Sequence, residues 1–68
     1  MHMQQQLVTE DQAAWLRMLE SRHYEGRSEP VEIPDDVLDA LLKKGFVRRW
    51  HDGNVTITLG GIREVAQH

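Results

Sequence analysis

Hydrophobic residues recur at helical spacing in the first third of the chain. Their positions are Trp15, Leu16, Met18 and Leu19. Just before them, Thr9 and Gln12 have the spacing of a capping box, in which each side chain accepts a hydrogen bond from the backbone N–H of the other residue. The apolar period and this start signal together predict a helix from Glu10 to Arg22.

A second apolar stripe lies in the middle of the chain. It consists of Val37, Leu38, Leu41 and Leu42. Pro34 suits the first position of a helix, because its missing N–H would have no partner there. Gly45 suits the left-handed position just past a helix end, with Lys43 and Lys44 in the last turn. These signals predict a helix that begins at Pro34 and ends before Gly45.

The segment between these helices, His23 to Ile33, has no helical period. Gly26 and Pro30 interrupt any helix, so we expect no stable helix of three turns here. Val31 and Ile33 alternate with a glutamate, a pattern that is compatible with a very short strand.

Strand-like alternation occurs on both sides of Asp52-Gly53, a favoured two-residue hairpin turn. With residues 46–51 and 54–59 as strands, this turn pairs Trp50 with Val55 and Arg48 with Ile57. One face of the hairpin is then apolar and predicted to be buried; it carries Phe46, Trp50, Val55, Ile57 and Leu59. The other face is predicted to be wet; it carries Val47, Arg49, His51, Asn54, Thr56 and Thr58.

Thr58 is placed to cap a last short helix, from about Leu59 to Gln67. The elements predict one small α+β domain over residues 7–68, in the order helix, irregular segment, helix, β-hairpin, short helix. Its predicted core comprises Trp15, Leu16, Leu19, Val37, Leu38, Leu41, Leu42, Phe46, Trp50, Val55, Ile57, Ile62 and Val65.

Residues 1–6 are expected to form a disordered tail, with Met1 and His2 a candidate cloning remnant. The 68 residues include no cysteine, which fits a reducing compartment. No apolar run approaches the roughly 20 residues that span a bilayer, and the start of the chain does not have the pattern of a secretory signal. We therefore expect a cytoplasmic protein that does not enter a membrane.

Charge is divided unevenly along the chain. Residues 1–40 carry three basic and nine acidic side chains, a net charge of −6, whereas residues 41–68 carry five basic and two acidic ones, a net charge of +3. A basic end of this kind is suited to phosphates, although the whole chain has a net charge of −3.

Catalytic chemistry is not indicated by any cluster of residues. The four histidines, at positions 2, 23, 51 and 68, lack metal-ligand spacing. Asp35 and Asp36 are explained by the helix dipole, which favours acidic residues in the first turn. We expect neither an enzyme nor a metal, cofactor or small-molecule ligand.

The run Leu41 to Arg49 reads Leu-Leu-Lys-Lys-Gly-Phe-Val-Arg-Arg, and Ile57 to Gly61 reads Ile-Thr-Leu-Gly-Gly. Their order and spacing resemble winged helix-turn-helix regulators of the multiple-antibiotic-resistance-repressor type. In that family a recognition helix ends in Leu-x-x-x-Gly-hydrophobic-Val, a two-stranded wing follows, and Leu-Thr-x-x-Gly opens the next helix. The resemblance covers about 30 residues, the helix–wing–helix part, and it implies DNA binding and transcription regulation.

If the domain binds DNA, the charge asymmetry points to the wing and the C-terminal end of the second helix as the parts that contact it. Arg48 is expected over the apolar face beside Trp50, with a cation–π contact. The candidate nucleic-acid-binding residues are Lys43, Lys44, Arg48, Arg49, His51 and Arg63.

An alternative function follows from the acidic helix start. Asp35, Asp36 and Asp39 would repel phosphates at the end of the helix that faces DNA in the resembled family. The segment His23 to Ile33 also occupies the place of the first helix of a helix-turn-helix. The alternative is therefore an acidic, winged-helix-like protein–protein interaction module that does not bind DNA, whose partner contacts the acidic helix or Trp50.

Overall fold

A computed structural model describes residues 8–67. The chain forms a small α+β domain with the order helix, helix, hairpin, helix. Its elements are α1 (Glu10–Glu25), α2 (Asp35–Lys43), β1 (Val47–Arg49), β2 (Val55–Ile57) and α3 (Leu59–Gln67). The predicted tail at residues 1–6 lies outside the described residues. No helix within residues 8–67 is long and apolar enough to cross a membrane.

Helix α1 begins as predicted and ends later than predicted. The Thr9 hydroxyl accepts from the Gln12 N–H at 3.1 Å, and the Gln12 side chain accepts from the Thr9 N–H at 3.2 Å. The predicted end at Arg22 is wrong by three residues, because α1 continues to Glu25 and stops at Gly26, where φ is 71°. The added turn is exposed, so it contributes no apolar period that would reveal it.

Helix α2 has the predicted boundaries to within one residue. Pro34 is the N-cap, with φ −53° and ψ 142°, rather than the first helical residue. Gly45 adopts φ 75°, and the Phe46 N–H then reaches back to the Leu41 carbonyl oxygen at 3.0 Å. The left-handed conformation of Gly45 allows backbone N–H groups to bond to carbonyl oxygens at the end of α2, and it directs the chain into the hairpin.

The connection from Gly26 to Pro34 is irregular, as predicted, and the short strand considered at Val31 to Ile33 is not formed. Ile33 is nevertheless buried. The Asn54 side-chain amide donates to the Ser28 carbonyl oxygen at 3.1 Å and so holds this connection near the hairpin.

The hairpin forms, but the predicted register is wrong by one residue. The observed Cα partners are Val47 with Ile57, Arg48 with Thr56 and Arg49 with Val55. Because side chains alternate between faces, a one-residue shift moves a whole strand to the other face. The shift turns Val47, predicted to be wet, into the core, and it turns Trp50 out of the core.

The turn explains the shift. The Trp50 N–H donates to the Asn54 carbonyl oxygen at 2.8 Å, so the loop has three residues, not two. A two-residue type I′ turn would need positive φ at both Asp52 and Gly53, whereas Gly53 alone among the two is positive, at 93°. Gly53 therefore takes the left-handed third position of a three-residue loop.

Ten apolar side chains form the buried core within residues 8–67. They are Val8, Ala13, Leu16, Leu19, Ile33, Val37, Leu41, Val47, Val55 and Ile57. Trp15, Leu38, Leu42, Phe46, Ile62 and Val65, which were predicted core residues, are partly buried against it. Trp50 was wrongly assigned to the core and is 41% exposed; Leu59, assigned to the buried hairpin face, is 63% exposed.

Thr58 caps α3 as predicted. Its hydroxyl accepts from the Gly61 N–H at 3.1 Å and donates to the Gly45 carbonyl oxygen at 2.7 Å. Gly61 is buried against Phe46 and Ile57, so α3 packs closely on the base of the hairpin.

The observed register makes a specific prediction for solution measurements. Hydrogen bonds at Trp50–Asn54 and Thr58–Phe46 leave Arg49 and Val55 as a pair without mutual hydrogen bonds, whose Cα atoms lie about 4.5 Å apart. A strong nuclear Overhauser contact is therefore expected between the α-protons of Arg49 and Val55. A contact between those of Trp50 and Val55 in its place would restore the register predicted from sequence.

Candidate nucleic-acid interface

The outer face of the hairpin combines an arginine, a tryptophan and a threonine. The guanidinium carbon of Arg48 lies 4.1 Å from the centroid of the Trp50 ring. The indole N–H of Trp50 donates to the Thr56 hydroxyl at 2.9 Å. The predicted cation–π contact is thus present, but on the exposed face rather than over the core. Cation and hydroxyl together hold the indole ring in place.

Arg49 was predicted on the wet face and instead shares the face of Val47 and Val55. It is exposed all the same, because it lies at the end of β1 beyond the core. Its side chain borders an open groove between the hairpin and the start of α2, whose other walls include Leu38 and His51. The groove therefore presents two of the predicted binding residues side by side.

The remaining predicted binding residues either bond to other side chains or lie outside the hairpin. Lys43 pairs with Asp39 at 3.3 Å, one helical turn away. Lys44 donates to the Gln12 side-chain oxygen at 3.0 Å and so links the end of α2 to the start of α1. Arg63 is exposed on α3. The hairpin thus carries three of the six predicted binding residues, Arg48, Arg49 and His51.

Two arginines of the N-terminal half form hydrogen bonds or ion pairs with nearby residues of the chain. Arg22 donates to the Glu29 carbonyl oxygen and pairs with its carboxylate at 3.4 Å, and Arg27 pairs with Glu25 at 3.6 Å. The pKa of Glu29 is lowered, first by a hydrogen bond from its own backbone and then by Arg22 and Arg27. Across residues 8–67, by contrast, the side chains of Arg48, Arg49, His51 and Arg63 form no hydrogen bond or ion pair.

Acidic side chains occupy the start of α2. Asp35, Asp36 and Asp39 are all exposed, and together with Arg49 they line a shallow depression. The hairpin and the start of α2 therefore present opposite charges on neighbouring surfaces.

Within the part of the chain that the structure describes, no three His, Asp or Glu side chains are grouped closely enough to hold a metal ion.

Thr56 is a residue of this surface that the sequence reasoning missed. In the two-residue turn it faces Arg49, whereas in the observed register it lies opposite Arg48 and accepts from Trp50. Gly53 was the signal for the observed register. As the third loop residue, in the left-handed conformation, it shifts the pairing of the two strands by one position.

Fold and surface together define a small α+β domain with an exposed, cationic, aromatic hairpin. Comparison with protein-family models, with curated proteins and with solved structures finds no match for this chain.

Proposed function

We propose that this domain is a winged-helix-like DNA-binding module that contacts phosphates through its hairpin, with a role in transcription regulation. The observation that carries the proposal is that Arg48, Arg49 and His51 are exposed on one hairpin and unpaired with any carboxylate of residues 8–67. Arginines that the chain does not neutralise are available to release counterions from DNA.

The order of elements supports the same proposal. Helix α2 ends at Lys43 and leads directly into β1, and α3 follows β2 after one residue, Thr58. This is the order of recognition helix, wing and following helix in the regulators that the sequence resembles. The proposal also places the protein in the cytoplasm, where it has access to DNA.

Binding is expected to be weak and mostly independent of sequence. Contacts to phosphates position a protein on DNA without specifying bases, and Asp35, Asp36 and Asp39 oppose entry of the α2 start into the major groove. We expect dissociation constants of about 10⁻⁴ to 10⁻⁶ M at physiological salt, the range of non-specific complexes.

Removal of the two strand arginines tests the proposal. The double variant Arg48→Ala/Arg49→Ala is expected to weaken DNA binding and to lower the slope of log K against log salt by roughly two units, one for each lost phosphate contact. Fluorescence anisotropy with labelled DNA at several salt concentrations measures both quantities.

A matched control removes the same charge elsewhere. Arg17 and Arg27 are exposed basic residues of the acidic half, and Arg17→Ala/Arg27→Ala should change the salt slope much less. Equal effects of the two double variants would show that the hairpin is not the binding surface, and absence of any salt-dependent binding by the parent protein would reject DNA binding.

The alternative is a protein-interaction module that does not bind DNA. A small apolar surface on α1 favours it: Ala14 is exposed, and Trp15 and Met18, beside it, are only partly buried. In this alternative the acidic start of α2 or Trp50 contacts the partner. The same salt titration separates the two functions, because the alternative predicts no binding to DNA at any salt concentration.

A further inference from the structure

The exposed tryptophan of the hairpin is held in a fixed orientation. Trp50 is one of the exposed large apolar residues of the described chain, with 41% of its surface accessible. Its one polar atom is already satisfied by Thr56 at 2.9 Å, and Arg48 lies against its ring at 4.1 Å. Two contacts therefore orient the ring: the guanidinium covers one face, and the exposed part of the side chain presents apolar area next to this cation.

We infer that the outer face of the hairpin is a stacking platform for an unpaired base, so that the preferred ligand is single-stranded DNA. This inference rests on the proposed function and narrows it. An exposed aromatic ring beside an arginine suits single strands, since every base has a π-face and stacking tolerates any sequence. Bases of a duplex are already stacked on each other and are not available to Trp50.

The arginine beside Trp50 is suited to bind a backbone phosphate of the same DNA strand. The guanidinium carbon of Arg48 lies over the Trp50 ring, and the N–H donors of that group form no hydrogen bond or ion pair within the described residues. A guanidinium in this position stacks and binds a phosphate oxygen at once. Arg49 precedes Trp50 in the chain but lies on the other face of the hairpin, at the groove beside α2. Arg48 is therefore the arginine of the stacking face itself.

The acidic start of α2 disfavours the duplex more than the single strand. Asp35, Asp36 and Asp39 border the groove and depression next to Arg49, where the second backbone of a duplex would add further phosphates. A single flexible strand on the outer face of the hairpin brings fewer phosphates to these carboxylates. Repulsion by these carboxylates therefore favours the single strand over the duplex, as stacking on Trp50 does.

The experiment uses the intrinsic fluorescence of Trp50. In a Trp15→Phe background, Trp50 is the one remaining tryptophan of the chain. A single-stranded oligothymidylate is titrated in parallel with a duplex of equal length. The single strand is expected to quench Trp50 and to bind more tightly than the duplex. Variants that lack Trp50 have no such signal, so their binding is measured by fluorescence anisotropy of labelled oligonucleotides. Trp50→Ala should weaken single-strand binding about tenfold and leave duplex binding nearly unchanged.

Two further variants separate stacking from a loss of folding. Trp50→Phe keeps an aromatic face and should retain most of the affinity, whereas Thr56→Val keeps the shape of the side chain, loses the acceptor for the indole N–H and should weaken binding only a few-fold. Circular dichroism confirms that each variant is folded before titration.

The outcomes distinguish this inference from the proposed function. Salt-dependent binding of duplex and single strand with equal affinity, unchanged in Trp50→Ala, would overturn the stacking platform and leave DNA binding intact. No binding to either DNA would overturn both.

Discussion

Gly61→Ala is expected to lower the free energy of unfolding by about 3 kcal/mol, as overpacking of a close contact does. A Cβ atom at this position would overlap the Phe46 carbonyl oxygen and lie 2.7 Å from Cγ1 of Ile57. The carbonyl belongs to the backbone at the base of the hairpin and accepts from the Thr58 N–H, so it does not move away easily. Urea denaturation followed by circular dichroism measures the loss.

Gly60→Ala is the matched control, because the same atom is added one residue earlier in the same helix. There the nearest atom to the new Cβ is the Gly45 carbonyl oxygen at 3.5 Å, an ordinary van der Waals contact. Alanine also has the higher helix propensity, so stability should be unchanged or rise by up to about 1 kcal/mol. Similar losses for both variants would show that α3 does not pack on the hairpin in this way.

Leu41→Ala is expected to have the second large effect, a loss of about 3 kcal/mol within the usual range of about 2–5 kcal/mol for a leucine in a core. Leu41 is 0% exposed and joins α2 to the core, and Leu16, also 0% exposed, does the same from α1. A domain of this size has little stability in reserve, so a double Leu16→Ala/Leu41→Ala variant should not fold.

Leu59→Ala provides the comparison for this prediction. Leu59 is 63% exposed, and its truncation should change the free energy of unfolding by less than about 0.5 kcal/mol. Thermal denaturation of the three variants under one buffer condition checks the contrast. A loss at Leu59 as large as that at Leu41 would mean that the apolar packing differs from the structure described.

The helices could be predicted from sequence because their signals are local. Thr9 with Gln12, Pro34 and Gly45 each mark a helix end through hydrogen bonds made within a few residues, and the structure shows these ends to within one residue. The late end of α1 could not be predicted from periodicity, since its last turn faces solvent. Gly26 was the better signal, because it takes the left-handed conformation that ends the helix.

The hairpin register could not be predicted because two turns compete for the same residues. Asp52-Gly53 satisfies a two-residue turn, but the glycine also suits the third position of a longer loop. Both registers bury Val55 and Ile57; they differ in whether Val47 or Trp50 accompanies them. The observed choice buries the smaller, β-branched side chain and leaves the indole at the surface, where its N–H finds Thr56.

The candidate site changed with the register. The residue types were identified from sequence, because Arg48, Arg49 and His51 lie on the hairpin in either register. Their neighbours were not: Arg48 and Trp50 moved to the outer face, and Arg49 moved beside the start of α2. Which side chains cooperate in a hairpin depends on pairing across strands, and that information is not contained in either strand alone.

Thr58 anchors the base of the hairpin to the helices on either side of it. At the base, this one residue bonds to Gly45, Phe46 and Gly61, and so ties the hairpin to the end of α2 and the start of α3. Near the tip, the Asn54 amide holds the hairpin to the Gly26–Pro34 connection by a single surface bond. A rotation of the hairpin about its base displaces the tip furthest. The Thr58 hydroxyl bridges the two helices directly, with one bond to Gly45 after α2 and one to Gly61 in α3.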